Sequence, residues 1–153
     1  MPRPESLVRP ALLADGADVW PLAQQFATTF APARPAFDTT FANLVERSDT
    51  LLAVAEDRPA GITGYVLASV HLTLFANGPV AWVEELMVSP ASRRSGVGTS
   101  LMDAAERWAR ARGAAYIALA TRRAGDFYEA IGYTESAAFY RKVLDHPQRL
   151  RGG

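Results

Sequence analysis

The stretch that decides the fold is Val83–Met102, with the sequence V-E-E-L-M-V-S-P-A-S-R-R-S-G-V-G-T-S-L-M. Its apolar start predicts a buried strand, and the apolar residues after its glycines predict a helix. The loop between them carries Arg93 and Arg94, followed by Gly96 and Gly98. A glycine-bearing loop before a helix leaves backbone N–H groups free at the positive end of the helix dipole. We therefore expect an anion site, with a pyrophosphate as the anion and the arginines beside it.

Two common phosphate-binding motifs do not fit this loop. A dinucleotide fingerprint needs a glycine where Leu101 stands, and a Walker loop needs a lysine, whereas Lys142 is the only lysine of the chain. The pattern V-x-P-x-x-R-x-x-G-x-G does fit, and it strongly resembles the acetyl-CoA signature of the GNAT superfamily of N-acetyltransferases. It is formed by Val88, Pro90, Arg93, Gly96 and Gly98.

The resemblance implies that acetyl-CoA is the co-substrate and that the loop cradles its pyrophosphate, mostly through backbone N–H groups. The loop residues implied to bind it are Arg93, Arg94, Ser95, Gly96, Val97, Gly98 and Thr99. Glycine brings no Cβ between the backbone and the phosphates. The preceding strand, at Leu86, Met87 and Val88, is expected to bind the pantetheine amides through its backbone and to hold the acetyl carbonyl near an N–H.

A second segment, Thr121–Tyr133, resembles the family pattern N-x-x-A-x-x-F-Y-x-x-x-G-F/Y. Thr121 replaces the asparagine that contacts the pantetheine arm, and its hydroxyl still offers one hydrogen bond. Tyr128 stands where many members place a tyrosine next to the CoA sulfur. We expect it to donate a proton to the departing thiolate. The alternative is that Tyr128 only packs a helix against the sheet.

A carboxylate on the strand before the loop is the candidate base for the acceptor ammonium. Glu84 and Glu85 face opposite sides of a regular strand. Family members with a base here usually have it an even number of residues before the Glu84 position. This parity favours Glu84 and places Trp82 beside it in the acceptor pocket. A bulge would reverse the assignment, making Glu85 the base or a structural carboxylate.

The composition argues against several other classes of protein and of functional site. The 153 residues suffice for one domain, and the 16 basic and 16 acidic residues balance, which argues against nucleic acid or an anionic membrane as a partner. Without cysteine there is no disulfide or thiol nucleophile, and with two histidines we expect no metal site. No run approaches the about twenty apolar residues of a membrane span. We expect a cytoplasmic protein, and the excess of arginine over lysine suggests a bacterial source.

The coarse pattern predicts the element order β-α-α-β-β-β-α-β-α-β, which is that of the GNAT fold. This is an α/β (α+β) fold with a mixed central sheet of six to seven strands and about four helices. The last strand is expected at Ala137–Leu144 and a flexible tail at 145–153. The second helix is expected at Asp38–Arg47, after a break at Ala31–Pro35, and a short helix at Gly125–Ala130. A hairpin turn is expected at Asn77 and Gly78. Asp15 or Asp18 is expected to cap the first helix.

The function implied is transfer of an acetyl group from acetyl-CoA to a primary amine by direct attack, without a covalent enzyme intermediate. A small-molecule amine is the favoured acceptor, and protein N-termini or lysine side chains are the alternative. An alternative of another class is a non-catalytic acyl-CoA-binding regulatory module on the same fold. Family members often pair through sheet edges, so a homodimer is also an expectation.

Overall fold

The computed structural model describes residues 6–144, so the tail expected at 145–153 lies outside the described residues. The sheet and its helices follow the predicted order up to the last helix. The strands are β1 (Leu7–Pro10), β2 (Thr50–Asp57), β3 (Gly61–Thr73), β4 (Gly78–Val88) and β5 (Ile117–Leu119). The helices are α1 (Gly16–Phe26), α2 (Arg34–Glu46), α3 (Val97–Ala111) and α4 (Gly125–Ala130).

The five strands form one mixed sheet in the order β1-β2-β3-β4-β5. The first four are antiparallel neighbours, and β5 runs parallel to β4. The β4–β5 pairing covers only Ala81–Val83 against Ile117–Leu119. Beyond Val83, β4 has no partner strand on this side within residues 6–144. The sheet therefore splits between β4 and β5, and the second half of β4 has a free backbone edge.

Two apolar cores cover the two faces of the sheet. The α3 face is filled by small and branched side chains: Ala53, Ala55, Val66, Ala68, Val83, Val97, Leu101, Met102 and Ala105. The α1/α2 face is filled by Ala11, Val19, Leu22, Phe41, Leu52, Val54, Tyr65 and Met87. Because alternate residues of β2, β3 and β4 enter opposite cores, the sheet is buried on both sides. Its interior strands are apolar almost throughout for that reason.

The expected strand Ala137–Leu144 is wrong, and the sheet has five strands rather than six or seven. Within residues 6–144 this segment pairs with no strand. Its side chains are exposed, with Tyr140 90% exposed. A β-forming composition expresses a local preference only, and a strand exists when a partner edge satisfies its backbone groups.

The start of the second helix also differs from the prediction. The prolines predict a start at Asp38, but α2 begins at Arg34 and Pro35 lies in its first turn. Proline is tolerated there because the N–H that it lacks would have no partner within the helix.

Asp15 precedes α1 but makes no side-chain cap. Its carboxylate instead accepts hydrogen bonds from the Leu12 N–H and from the guanidinium of Arg9. Arg9 also bonds to Glu56, so this ion pair joins β1, β2 and the start of α1. The Arg9 guanidinium lowers the pKa of the Asp15 carboxyl.

No helix of residues 6–144 is both long enough and apolar enough to cross a membrane.

Candidate active site

The free edge of β4 presents backbone groups to the gap in the sheet. The Ser89 N–H donates to the Thr63 oxygen on β3 at 2.7 Å. Since the N–H groups of an antiparallel strand alternate in direction, those of Leu86 and Val88 face away from β3. The Arg93 side chain confirms this direction, because its Nε donates to the Val88 oxygen at 3.3 Å. Leu86 and Val88 therefore have the backbone geometry needed to bind an extended ligand, whereas the backbone of Met87 faces β3.

One end of this edge leads to the N-terminus of α3. Gly96 has φ +87° and is the residue that precedes the helix, so the turn requires glycine there. The Ser100 N–H donates to the Gly96 oxygen at 3.0 Å and makes the first bond of the helix. The N–H groups of residues 97–99 precede that bond. Gly96, at the N-cap position, has no side chain that could accept a hydrogen bond from them. An anion would satisfy these donors at the positive end of the helix.

Gly98 has a packing role besides the phosphate-binding role expected for it. A Cβ on Gly98 would lie 3.2 Å from Cζ of Phe127 on α4 and 3.8 Å from Cγ2 of Val88. Its missing side chain lets α3 approach α4. At Gly96, by contrast, a Cβ would meet no atom within 4 Å. Gly96 is therefore needed for its backbone conformation, whereas the missing side chain of Gly98 permits the packing contact between α3 and α4.

The Arg93–Gly96 turn carries the remaining predicted residues of the phosphate loop. Arg93, Arg94, Ser95 and Gly96 are exposed, and Arg94 has a φ of +65°. The Ser95 hydroxyl donates to the Ser92 oxygen, which stabilises the turn before the helix. Thr99 is exposed in the first turn of α3, and Val97 is buried below it in the core.

Tyr128 lies on α4, the helix that follows β5 in the chain. Its ring makes edge-to-face contacts with Phe127 and Tyr133, at centroid distances of 5.0 and 5.7 Å. It packs half-buried against the α3 core, and burial raises the pKa of its hydroxyl. A phenol that stays protonated can donate to a thiolate. Packing and proton donation are thus compatible at this residue.

Thr121 lies just before α4, where its hydroxyl oxygen accepts a hydrogen bond from the Ala124 N–H at 3.0 Å. This bond supports the turn that leads into the helix. The hydroxyl proton is still available to donate.

A β-bulge at Glu84 overturns the premise of the parity argument. Val83 pairs with Ala68 and Glu85 pairs with Leu67, so Glu84 has no partner on β3. The extra residue moves Glu85, rather than Glu84, to the face that carries Trp82. Glu84 is exposed and Glu85 is half-buried.

Glu85 is held by a residue that the sequence reasoning missed. The Tyr65 hydroxyl on β3 donates to Oε1 of Glu85 at 2.7 Å. Burial raises the pKa of the Glu85 carboxyl, and the charge of Glu84 adds to this, while the Tyr65 hydrogen bond lowers it. No local signal pointed to Tyr65, because twenty residues and a hairpin separate the pair in sequence.

The Trp82 face of β4 is covered in part by the segment after α4. The Phe139 ring stacks on Trp82, with centroids 6.3 Å apart and planes 23° from parallel. Nη2 of Arg141 donates to the hydroxyl oxygen of Thr29, in the α1–α2 connection, at 3.0 Å. These residues were also missed, since residues 137–144 were expected to form a strand.

Comparison with known proteins confirms the resemblance carried by the two motifs. A family model described as acetyltransferase (GNAT) family matches residues 17–133. Aminoglycoside N(6')-acetyltransferase type 1 of Klebsiella aerogenes is 37% identical over 102 residues, which cover 61% of this chain. The aligned part is 66% of that relative, slightly less than two thirds of its length.

Solved structures share the fold at lower identity. Glucosamine-6-phosphate N-acetyltransferase from Arabidopsis thaliana superposes with a TM-score of 0.81 at 18% identity, covering 91% of this chain and 98% of its own. AAC(6')-Iy in complex with a CoA-S-monomethyl-acetylneamine bisubstrate analogue superposes with a TM-score of 0.77 at 21% identity, covering 92% and 100%. At these identities the likeness shows the fold alone.

Proposed function

This chain belongs to the acetyltransferase (GNAT) family and is therefore an acyltransferase by family, and from that premise we propose that it transfers an acetyl group from acetyl-CoA to the amino group of a small molecule. The observation that supports this best is the free edge of β4 at Leu86 and Val88, which lies beside the uncapped N-terminus of α3. The edge fits the two amides of a pantetheine arm, and the helix terminus fits a pyrophosphate.

The residues around this edge supply the proton transfers that the reaction needs. The acceptor must be a neutral amine to attack the thioester carbonyl, and Glu85 takes its proton on the Trp82 face of β4. The attack forms a C–N bond and breaks the C–S bond, and the leaving thiolate takes a proton from Tyr128. The nitrogen then loses its second proton through water to the Tyr128 phenolate, which leaves the neutral amide and restores the hydroxyl. A backbone N–H on the free edge of β4 stabilises the negative charge on the carbonyl oxygen.

The acceptor side supports a small cationic amine. Glu84 and Glu85 place two carboxylates next to each other, and Trp82 with Phe139 adds an aromatic surface. Carboxylates attract an ammonium group, and an aromatic face contacts either a cation or the C–H groups of a ring. The aminoglycoside acetyltransferase among the relatives favours the same chemistry.

Acetyl-CoA binding is tested by calorimetry on Gly96→Ala, with Gly113→Ala as the matched control. Both glycines have positive φ, +87° and +75°, at opposite ends of α3, so alanine strains the backbone similarly. We expect both variants to lose about 1–2 kcal/mol of stability. Only Gly96→Ala should bind acetyl-CoA more weakly, by about tenfold or more, because its Cβ adds bulk beside the phosphate site and disturbs its N–H donors. Equal affinities in the two variants would place the phosphates elsewhere.

Turnover is tested with acetyl-CoA and a panel of aminoglycosides, simple polyamines, peptides with free N-termini and peptides with lysine. Release of CoA with an aminoglycoside or polyamine supports the proposal. Transfer only to peptides would replace the small-molecule acceptor by a protein. Tight acetyl-CoA binding without transfer to any amine would make the chain a non-catalytic acyl-CoA-binding module. The homodimer expected from sequence stays a prediction, which sedimentation tests.

A further inference from the structure

Tyr65 is a polar side chain at the centre of an apolar face of the sheet. It lies in the middle of β3, is 2% exposed, and packs in the α1/α2 core with Val54 and Met87. A phenol hydroxyl buried at such a place needs a hydrogen-bond partner. Its partner is Oε1 of Glu85, at 2.7 Å.

The bulge at Glu84 is what makes this contact reachable. Tyr65 pairs across the strands with Met87, so a side chain two residues before Met87 is its diagonal neighbour on the same face. Without the extra residue, Trp82 and Glu84 would share a face and Glu85 would lie on the opposite one. The bulge places Glu85, rather than Glu84, on the Trp82 face, and the hydrogen bond from Tyr65 holds that same carboxylate.

The other charges near Glu85 do not neutralise it. Within residues 6–144 no Arg, Lys or His side chain forms an ion pair with Glu85. Glu84 on the same strand adds a like charge, and Tyr65 on the neighbouring strand gives the one hydrogen bond to the carboxylate in that part of the chain. Oε2 of Glu85 makes no hydrogen bond within residues 6–144.

We propose that Tyr65 is a positioning residue: its hydroxyl fixes Oε1 of Glu85 so that Oε2 faces the acceptor ammonium. The inference rests on the proposed function, in which Glu85 is the base. When Oε2 takes a proton from the ammonium, the Tyr65 O–H stays on Oε1, and the proton on Oε2 later leaves to water. Tyr65 itself stays protonated throughout, since burial and the Glu85 charge raise the pKa of its hydroxyl.

The test compares wild type, Tyr65→Phe, Glu85→Gln and the double variant, using the acceptor that turns over best. Tyr65→Phe keeps the ring and removes a hydrogen bond to a charged group. The Glu85 carboxylate then loses stabilisation, so the acid limb of the pH profile of kcat/KM should move up by about one pH unit. The KM for acetyl-CoA should not change. In the Glu85→Gln background, Tyr65→Phe should have no further effect on turnover.

Tyr116→Phe is the matched control, because Tyr116 is more exposed and its ring contacts Phe75 instead of the site. Its pH profile should equal that of wild type. If Tyr65→Phe folds poorly, site-specific replacement of Tyr65 alone by 3-fluorotyrosine gives a second measurement. Fluorine makes the phenol a stronger donor, so the acid limb should move down instead.

The outcomes separate this inference from the proposed function. An acid limb that stays in place in Tyr65→Phe, while Glu85→Gln loses turnover, overturns the positioning role and leaves Glu85 as the base. Wild-type turnover and profile in Glu85→Gln overturn the base assignment itself. The ¹³C NMR titration of the Glu85 carboxyl, assigned by its absence in Glu85→Gln, checks the coupling without turnover. A pKa unchanged by Tyr65→Phe contradicts the inference.

Discussion

At the scale of the residue, one extra residue in β4 gives two chemically identical side chains, Glu84 and Glu85, different environments. Both are carboxylates on β4, and only their environments differ. Glu84 occupies the bulge and is exposed, whereas Glu85 is half-buried and bonded to Tyr65. A half-buried carboxylate with a raised pKa is a better base near neutral pH than a fully solvated one.

Glu85→Gln should stabilise the protein in a pH-dependent way. Burial raises the pKa of the Glu85 carboxyl in the folded state. At pH values below the unfolded-state pKa, both states carry the neutral acid and the variant gains nothing. As the pH rises through the folded-state pKa, the carboxylate ionises inside the protein and lowers wild-type stability.

Thermal unfolding between pH 4 and 8 measures this effect. The Tm of Glu85→Gln should exceed that of wild type at pH 8, and the two should converge at pH 4. Glutamine still accepts the Tyr65 hydrogen bond, so the comparison isolates the charge. A constant difference at every pH would show that packing, and not ionisation, separates the two proteins.

Tyr128→Phe removes one hydroxyl and keeps the ring contacts with Phe127 and Tyr133. If this hydroxyl protonates the thiolate, turnover should fall by roughly 10²-fold or more. Acetyl-CoA affinity and Tm should hardly change, because the interaction exists mainly in the transition state. Steady-state kinetics and calorimetry measure the two effects separately, and unchanged turnover would leave Tyr128 as a packing residue.

At the scale of the element, α3 contributes to the sheet core, to the proposed phosphate site and to the contact with α4. Leu101 and Met102 are fully buried against the sheet. Gly96 sets the backbone at the helix start, and Gly98 lets the first turn touch Phe127. The position of Tyr128 on α4 therefore depends on a glycine in α3.

Gly98→Ala tests this coupling between the helices. The added Cβ would meet Phe127 Cζ at 3.2 Å, so α4 must shift or the ring must move. We expect a loss of about 1–3 kcal/mol, typical of overpacking. Phe127→Leu in the same chain should recover part of the loss, which makes the two changes non-additive. Urea unfolding of the single and double variants measures this, and strictly additive losses would contradict the contact.

At the scale of the whole molecule, the proposed acceptor side is assembled from distant parts of the chain. Thr29 precedes α2, Trp82 lies on β4, and Phe139 and Arg141 follow α4. The segment after α4 thus covers one side of β4 instead of extending the sheet.

Phe139→Ala should weaken acceptor binding and leave acetyl-CoA binding intact. A cation over an exposed aromatic ring gains about 0.5–1 kcal/mol, so loss of the Phe139 ring should raise the KM for the acceptor about two- to fivefold. Tyr140→Ala is the matched control, because Tyr140 is the next residue and is 90% exposed. Equal effects of both substitutions, or a rise in the KM for acetyl-CoA, would place Phe139 outside the acceptor side.

The sequence by itself determined the features whose cause is local. The strand–turn–helix around Gly96, the hairpin at Asn77 and Gly78, and α4 at Gly125–Ala130 follow from turn chemistry and apolar periodicity, and the structure has them where they were predicted. The family follows from the same local motifs.

Tertiary structure alone decided what depends on partners far away in the chain. The bulge at Glu84 is a change in the pairing register of β3 and β4, and no single strand encodes such a register. Tyr65 contacts Glu85 through that register, and residues 137–144 have no partner strand within the described chain. Local propensity sets which conformations a segment prefers, but register and edge pairing depend on contacts between segments, so only the folded chain settles them.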